Sequence, residues 1–181
     1  SRVVERGREW RAGAVKVAGG NARGGRRPED WVKRVEGARN FNEGVATVEY
    51  VTSAMVDMKL HMREAADDVD ATAFEAAALA EIGMPAAIVM RHRPTHFAHI
   101  FSGDGYSAAY YSYLWSEVLD ADGFGASAEA GDPFHPETAA RLHEHVYSAG
   151  NRADPNRAYQ AFRGRAATPE ALLKKRGLVG A

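Results

Sequence analysis

Apolar residues recur along this chain mostly with the period of a helix, and the alternation typical of strands is nearly absent. Several of the segments open with a residue that starts helices, such as Pro28 before two acids, Asp70 or Asp154. The sequence therefore predicts an all-α chain with irregular connections. The predicted helices span residues 28–38, 43–64, 71–82, about 105–120, 136–148, 154–163 and 168–176.

The predicted helix 43–64, which Asn42 can cap, is apolar on nearly every side. Such a helix is typical of a buried position, and a chain of 181 residues has few other helices to surround it. We therefore expect part of the surrounding fold to be missing. Glu49 and Asp57 interrupt the apolar surface, and buried carboxylates need partners. An internal ion pair or hydrogen bond is favoured over a catalytic role.

Four tyrosines crowd the segment "YSAAYYSY", residues 106–113. If residues 105 to about 120 form one helix that "DADGFG" ends, Tyr106, Tyr110 and Tyr113 share a stripe at i, i+4 and i+7. The preceding turn "SGDG" lets the backbone approach a ligand, because glycine has no Cβ. Aligned phenols suit the stabilisation of a developing oxyanion. The alternative is that they are core tyrosines with local partners.

Three histidines, His92, His96 and His99, precede the tyrosines. Their spacing invites a zinc site, since imidazole is a common zinc ligand. Pro94 breaks a helical register between the first two, however, and no carboxylate follows until Asp104. A pocket histidine is favoured over a metal site. Residues 86–103 are compatible with a short strand or a loop.

Length, charge and composition limit the classes of protein to which this chain can belong. The length suits one domain or a large piece of one, and a net charge of −1 gives no general reason to expect nucleic acid or a membrane as partner. No cysteine is present, which suits a reducing, cytoplasmic compartment. Residues 1–27 form a basic, Gly/Arg-rich segment that we expect to be partly mobile. A nucleic-acid-binding arm is the less favoured alternative.

Two long stretches, "NFNEGVATVEYVTSAMVDMKLH" (40–61) and "HIFSGDGYSAAYYSYLWSEVLDADGF" (99–124), resemble the C-terminal region of the thimet oligopeptidase and peptidyl-dipeptidase family of zinc metallopeptidases. The tail 147–178 resembles its bacterial branch, in the same order. The resemblance runs from about residue 28 to residue 178. It implies that residues 28–181 are the helical C-terminal part of a larger, mostly α-helical catalytic domain. The segment 12–27 matches nothing expected.

The resemblance implies a zinc cofactor, but this sequence contains no H-E-x-x-H, the motif that carries two zinc ligands and the general base. Zinc is therefore expected to be bound by residues upstream of Ser1, not by this chain.

The resemblance also implies roles for residues of the substrate cleft. His99 would contact the substrate backbone, and Gly103, Gly105 and Tyr106 would form a loop over the scissile bond. Tyr110 and Tyr113 would donate hydrogen bonds to the tetrahedral intermediate. Ala109 stands where glycine is expected.

The expected function is thus the substrate-binding and transition-state-stabilising portion of a zinc metallopeptidase that releases dipeptides from the C-termini of short peptides. Its partners would be short peptides and the missing N-terminal part of the same protein, and the fragment alone would be inactive. The alternative is a catalytically inert helical peptide-binding module.

Overall fold

The structure is a computed structural model that describes residues 29–64 and 68–179. Helices and turns are the only regular elements of these ranges, which confirms the all-α prediction. The basic segment 1–27 lies outside the described residues, so its character stays a prediction. The chain forms two compact units, residues 1–42 and residues 43–181.

The described part of the first unit contains one helix, α1, from Glu29 to Gly37. A turn follows it, in which the Phe41 amide donates to the Ala38 carbonyl at 3.1 Å. Trp31 and Val35 of α1 are exposed. The predicted helix over 28–38 is confirmed in its described part.

The second unit begins with a long helix and continues through shorter ones, joined by turns. Its described α-helices are α2 (Glu43–His61), α3 (Ala71–Ile82), α4 (Ala98–Phe101), α5 (Ser112–Glu129), α6 (Pro136–Leu142), α7 (Pro155–Arg163) and α8 (Glu170–Lys175). A 3₁₀ turn spans Pro94–His96, and a π-helical turn, His143–Tyr147, extends α6. The segment 86–103, left open between strand and loop, contains that 3₁₀ turn and α4.

The ends of α3 and α7 follow directly from local chemistry. The Asp70 carboxylate accepts hydrogen bonds from the Thr72 and Ala73 amides, so it satisfies two free N–H groups of the first turn. Gly83 closes α3 in the left-handed conformation, with φ of 76°. Asp154 caps α7 by accepting from the Arg157 amide. These predicted caps and stops are confirmed.

The main core packs the middle of α2 against α3 and the segment that leads into α4. Its buried residues are Val56, Ala78, Met90, Phe97 and Ile100. The first turns of α2 do not take part, since Val45 and Val48 are exposed. The first half of α2 is thus only partly covered within the described ranges, and the expectation that part of the surrounding fold is missing stays a prediction.

The tyrosine-bearing helix differs most from its prediction. α5 begins at Ser112 rather than at residue 105, and residues 103–111 form turns. It does not stop at "DADGFG" but runs through Gly123 and Gly125 to Glu129. Both glycines face α7: a Cβ on Gly123 would lie 3.5 Å from the Phe162 ring. The small residues allow α7 to pack closely, and this packing outweighs their low helix propensity.

α8 packs against α5 through Val118, Ala121 and Leu172. Arg176, just after α8, links it to α2 and α5: the guanidinium donates to the Thr47 hydroxyl at 2.8 Å and to the Glu117 carboxylate. Within the described ranges, no helix combines the length and the hydropathy that a membrane span requires.

Candidate functional site

An open cavity of about 470 Å³ lies where α2, the 3₁₀ turn with α4, and the tyrosine segment meet. Its walls come from different parts of the sequence, which lie side by side because the main core packs α2 against residues 90–100. The cavity is lined by Tyr50, His92, His96, Phe97, Ala98, His99, Tyr110 and Tyr113. Aromatic rings and imidazoles thus dominate the lining, as in many ligand sites.

The centre of the site is a contact between His99 and Tyr113. The Tyr113 hydroxyl lies 2.9 Å from His99 Nε2, within hydrogen-bond distance. The Tyr106 ring packs over the His99 ring, with centroids 4.1 Å apart, and stacks nearly parallel to the Tyr113 ring at 5.9 Å. Tyr113 is 38% exposed, so its hydroxyl remains accessible to a ligand.

Tyr110 connects this polar group to the core. Its ring meets the buried Phe97 ring edge to face at 4.9 Å and the Tyr113 ring at 5.3 Å. Edge-to-face pairs of this kind are favourable beyond their buried area. Tyr50 of α2 lies 5.9 Å from Tyr110 on the other side. Core packing therefore holds one side of the site in place, while Tyr106 and Tyr113 are exposed to solvent.

The site is lined by neutral phenols. The neighbouring Tyr106 phenol and, next, partial desolvation raise the pKa of Tyr113 to about 12. Burial also raises the pKa of Tyr110, with a smaller opposing effect from Arg91. Both hydroxyls consequently keep their protons near neutral pH and can donate hydrogen bonds.

His92 forms the inner end of the histidine group and stacks on Phe97 with ring centroids 4.9 Å apart. Burial lowers the pKa of His92, and the neighbouring Arg91, His96 and His99 lower it further. A lowered pKa keeps this imidazole neutral at pH 7. The inner wall of the cavity therefore presents hydrogen-bonding groups without a cation on His92.

The six residues predicted for the site divide into two groups. His99, Tyr106, Tyr110 and Tyr113 come together, as the contacts above describe. Gly103 and Gly105 lie in the exposed turn beside them. Gly103 has φ of 154°, which favours glycine, whereas nothing lies within 4 Å of a Cβ added at Gly105. Their roles remain predictions.

The tyrosines meet for a different reason from the one predicted. Only Tyr113 belongs to α5, and Tyr106 and Tyr110 lie in the preceding turns. The expectation of one helical stripe is therefore wrong, although the rings do converge. Sequence reasoning also missed Tyr50, which faces the cavity from α2. Tyr50 lies in an apolar segment, about two turns of α2 before Asp57, and its neighbours in the sequence do not indicate a role.

No group of three or more His, Cys, Asp or Glu side chains placed to hold a metal ion occurs in the part of the chain that the structure describes. His99 is instead engaged with Tyr113, and His92 with Phe97. The carboxylate of Asp57 is buried and hydrogen-bonded, which confirms the favoured interpretation for that residue. Glu49 is half-buried rather than buried.

Comparison with known proteins assigns this chain to a family. The model of peptidase family M3 matches residues 16–178, so the match includes most of the segment 12–27 that had no expected counterpart.

Several curated proteins match the same region. The dipeptidyl carboxypeptidase of Escherichia coli (strain K12) is 36% identical over 154 residues, which are 83% of this chain and 22% of that protein. Two Arabidopsis thaliana proteins are similar over 85% of this chain. They are the probable cytosolic oligopeptidase A, at 33% identity and 22% of its length, and the chloroplastic/mitochondrial organellar oligopeptidase A, at 35% and 20%. The chain spans about a fifth of the length of these relatives.

Proposed function

The chain belongs to peptidase family M3, and on this premise we propose that it forms the substrate-binding and transition-state-stabilising portion of a zinc metallopeptidase acting on short peptides. Release of C-terminal dipeptides is the proposed mode, in line with the name of the dipeptidyl carboxypeptidase relative. The observation that carries the proposal is the accessible Tyr113 hydroxyl, held 2.9 Å from His99 Nε2 at the mouth of an aromatic cavity.

The residues that the structure describes do not fit a zinc site. The sequence has no H-E-x-x-H, and the described residues offer no three-ligand group. We propose that zinc, the general base and the ligands belong to a part of the protein outside these 181 residues, which would be the partner of this portion. Residues 1–181 alone are then expected to bind peptides without cleaving them.

The proposed role of the tyrosines is differential hydrogen bonding. A peptide carbonyl is a neutral acceptor, whereas the oxygen of a tetrahedral intermediate carries negative charge, and hydrogen bonds to charged groups are the stronger ones. Tyr113 and Tyr110 keep their protons because their pKa values are raised. Donors that bind the intermediate better than the substrate lower the barrier of the reaction.

A cytoplasmic location is also part of the proposal. It agrees with the absence of cysteine and with the name of the cytosolic plant relative. The organellar relative indicates that the same region also occurs in proteins of other compartments.

The test compares two ligands of equal length on this chain by calorimetry. One is an ordinary short peptide, and the other is a phosphinic peptide, whose tetrahedral anionic group imitates the intermediate. We expect the phosphinic peptide to bind more tightly than the ordinary peptide. Tyr113→Phe should lower the affinity for the phosphinic peptide about tenfold and leave the affinity for the ordinary peptide nearly unchanged. Tyr147→Phe, at a tyrosine that is 74% exposed outside the cavity, is the matched control.

The same titrations separate the alternative function. An inert peptide-binding module would bind both ligands equally and would not respond selectively to Tyr113→Phe. Native mass spectrometry with metal analysis completes the test. Zinc bound stoichiometrically by the isolated chain would contradict the proposed division of labour.

A further inference from the structure

The turns between α4 and α5, residues 102–111, carry two of the site tyrosines without regular helix or strand. Ala108 in these turns has φ of 58°, a left-handed conformation that an alanine rarely adopts. Chain segments of this kind keep such a conformation only when surrounding contacts impose it. Something outside the turns must therefore hold them.

Asp57, which lies one turn before the end of α2 and has an exposure of 0%, supplies contacts to these turns. Its Oδ1 accepts a hydrogen bond from the Ala108 amide at 3.1 Å, and its Oδ2 accepts one from the Tyr110 amide at 2.9 Å. His61 Nδ1, one turn further along α2, lies 2.8 Å from Oδ1. Two of the three partners are thus backbone amides, one of the left-handed residue itself and one of the residue two positions later.

An ionised carboxylate is the side chain that suits this position. It accepts on both oxygens, whereas the amide of asparagine accepts on one side and donates on the other. At position 57 an asparagine would point an NH₂ group at either the Tyr110 amide or the Ala108 amide. One buried donor would then be left without an acceptor, which is unfavourable.

We propose that Asp57 is a positioning residue for the peptide site. By fixing the amides of Ala108 and Tyr110 from a buried position on α2, it holds the turns so that the Tyr110 ring lies on Phe97 and against Tyr113. It touches no ligand itself, since it is completely buried. This inference rests on the proposed function only for the nature of the ligand, and not for the order of the turns.

The first experiment needs no substitution. Amide hydrogen exchange of the intact chain should find the Ala108 and Tyr110 amides protected to the level of the α2 core, although the neighbouring turn at 103–105 is exposed. Exchange of these two amides at the rate of the Gly103 and Gly105 amides would overturn the proposal.

The second experiment compares Asp57→Asn with Asp122→Asn, a substitution at an aspartate that is 1% exposed and lies in α5 away from the cavity. Affinity for the phosphinic peptide is measured by calorimetry under conditions where each variant is folded. We expect Asp57→Asn to weaken binding about tenfold and to lose the protection at residues 108 and 110. Asp122→Asn should change neither. Equal effects of the two variants on binding would mean a general loss of stability and would overturn the proposal.

Rescue by Ala108→Gly supplies a readout that a merely structural role would not move. Glycine adopts positive φ without penalty, so in the Asp57→Asn background it should restore affinity about fivefold. Absence of any rescue would contradict the view that Asp57 acts by holding the left-handed turn. If instead the parent chain binds ordinary and phosphinic peptides alike, the proposed function fails, while the exchange data still decide whether Asp57 orders the turns.

Discussion

Asp57 in α2 and Asp122 in α5 are both almost completely buried, yet they hold different kinds of partner. Asp57 accepts from two backbone amides of an irregular segment. Asp122 accepts from side chains: the Tyr159 hydroxyl at 2.7 Å and the Arg165 guanidinium at 2.5 Å. The first arrangement fixes the path of a loop. The second joins α5 to α7 and to the residue pair that follows α7.

The surroundings of Asp122 extend this contrast. Arg163 of α7 donates to the Asp122 backbone carbonyl at 3.1 Å and forms a two-pronged ion pair with Glu129 at the end of α5. Cations and carboxylates therefore alternate along the α5–α7 contact. A buried carboxylate placed between side chains contributes to architecture, whereas one placed beneath a turn determines where functional groups point.

The largest expected effect is on the α5–α7 contact. Asp122→Ala should lower the free energy of unfolding by about 3 kcal/mol, because it removes the buried carboxylate that accepts from the Tyr159 hydroxyl and the Arg165 guanidinium and that lies 3.5 Å from Arg163 Nε. Urea unfolding measures this change. Asp120→Ala is the control, since the exposed Asp120 pairs only loosely with Lys175 at 3.4 Å, and it should change stability by less than about 1 kcal/mol. A similar loss in both variants would contradict the assignment.

Alkaline titration sharpens the comparison, because each region contains a tyrosine with a raised pKa. Burial, and then the hydrogen bond to Asp122, raise the pKa of Tyr159, and the neighbouring Tyr106 phenol raises that of Tyr113 to about 12. The protonated phenols are favoured by folding, so their stabilisation is complete below pH 10 and is lost as pH rises through the folded values.

Near-ultraviolet absorbance of tyrosinate follows these titrations. Asp122→Asn should lower the pKa of Tyr159, since the negative charge beside the phenol disappears, and Asp57→Asn should leave that titration unchanged. Tyr113→Phe should remove a phenol that titrates near pH 12. A response of Tyr159 to substitution at position 57 would break the separation of the two regions.

The smallest expected effect concerns Gly123, the residue after Asp122, and the space between it and α7. A Cβ at Gly123 would meet the Phe162 ring at 3.5 Å, an ordinary contact, within the continuous helix α5. Gly123→Ala should therefore stabilise the chain by about 0.5–1 kcal/mol through helix propensity. Gly131→Ala is a control with the opposite expected sign, because Gly131 has φ of 73°. Thermal unfolding of both variants measures the difference, and destabilisation by Gly123→Ala would mean that the contact is tighter than described.

Sequence reasoning succeeded where the cause of a structure is local. Two helices start at Asp70 and Asp154, and one ends at Gly83. Each residue acts on groups two to four positions away, so its role can be predicted from its neighbours in the sequence. It failed where distant packing decides. Gly123 signals a helix end by propensity, but contact with α7, some forty residues later, keeps it inside α5.

The candidate site divides in the same way. Its residue types and their order were recognisable in residues 99–113, and four of the predicted side chains do converge. The hydrogen bonds of Asp57 connect residues 51 and 53 positions apart, and no spacing pattern within one helix contains that information. The burial of Asp57 was predictable, but its partners were not.

In the ligand-free site the Tyr113 hydroxyl is already engaged with His99, so a ligand that uses this hydroxyl must compete with the imidazole. With the ring proton of His99 on Nδ1, its Nε2 accepts from the Tyr113 hydroxyl 2.9 Å away, so an incoming ligand must displace an imidazole to reach that donor. A neutral carbonyl exchanges one ordinary acceptor for another and gains little. An anionic oxygen replaces a weaker acceptor with a stronger one. On the proposed function, a ligand therefore gains this hydrogen bond at a net advantage only when its oxygen is a stronger acceptor than the His99 imidazole.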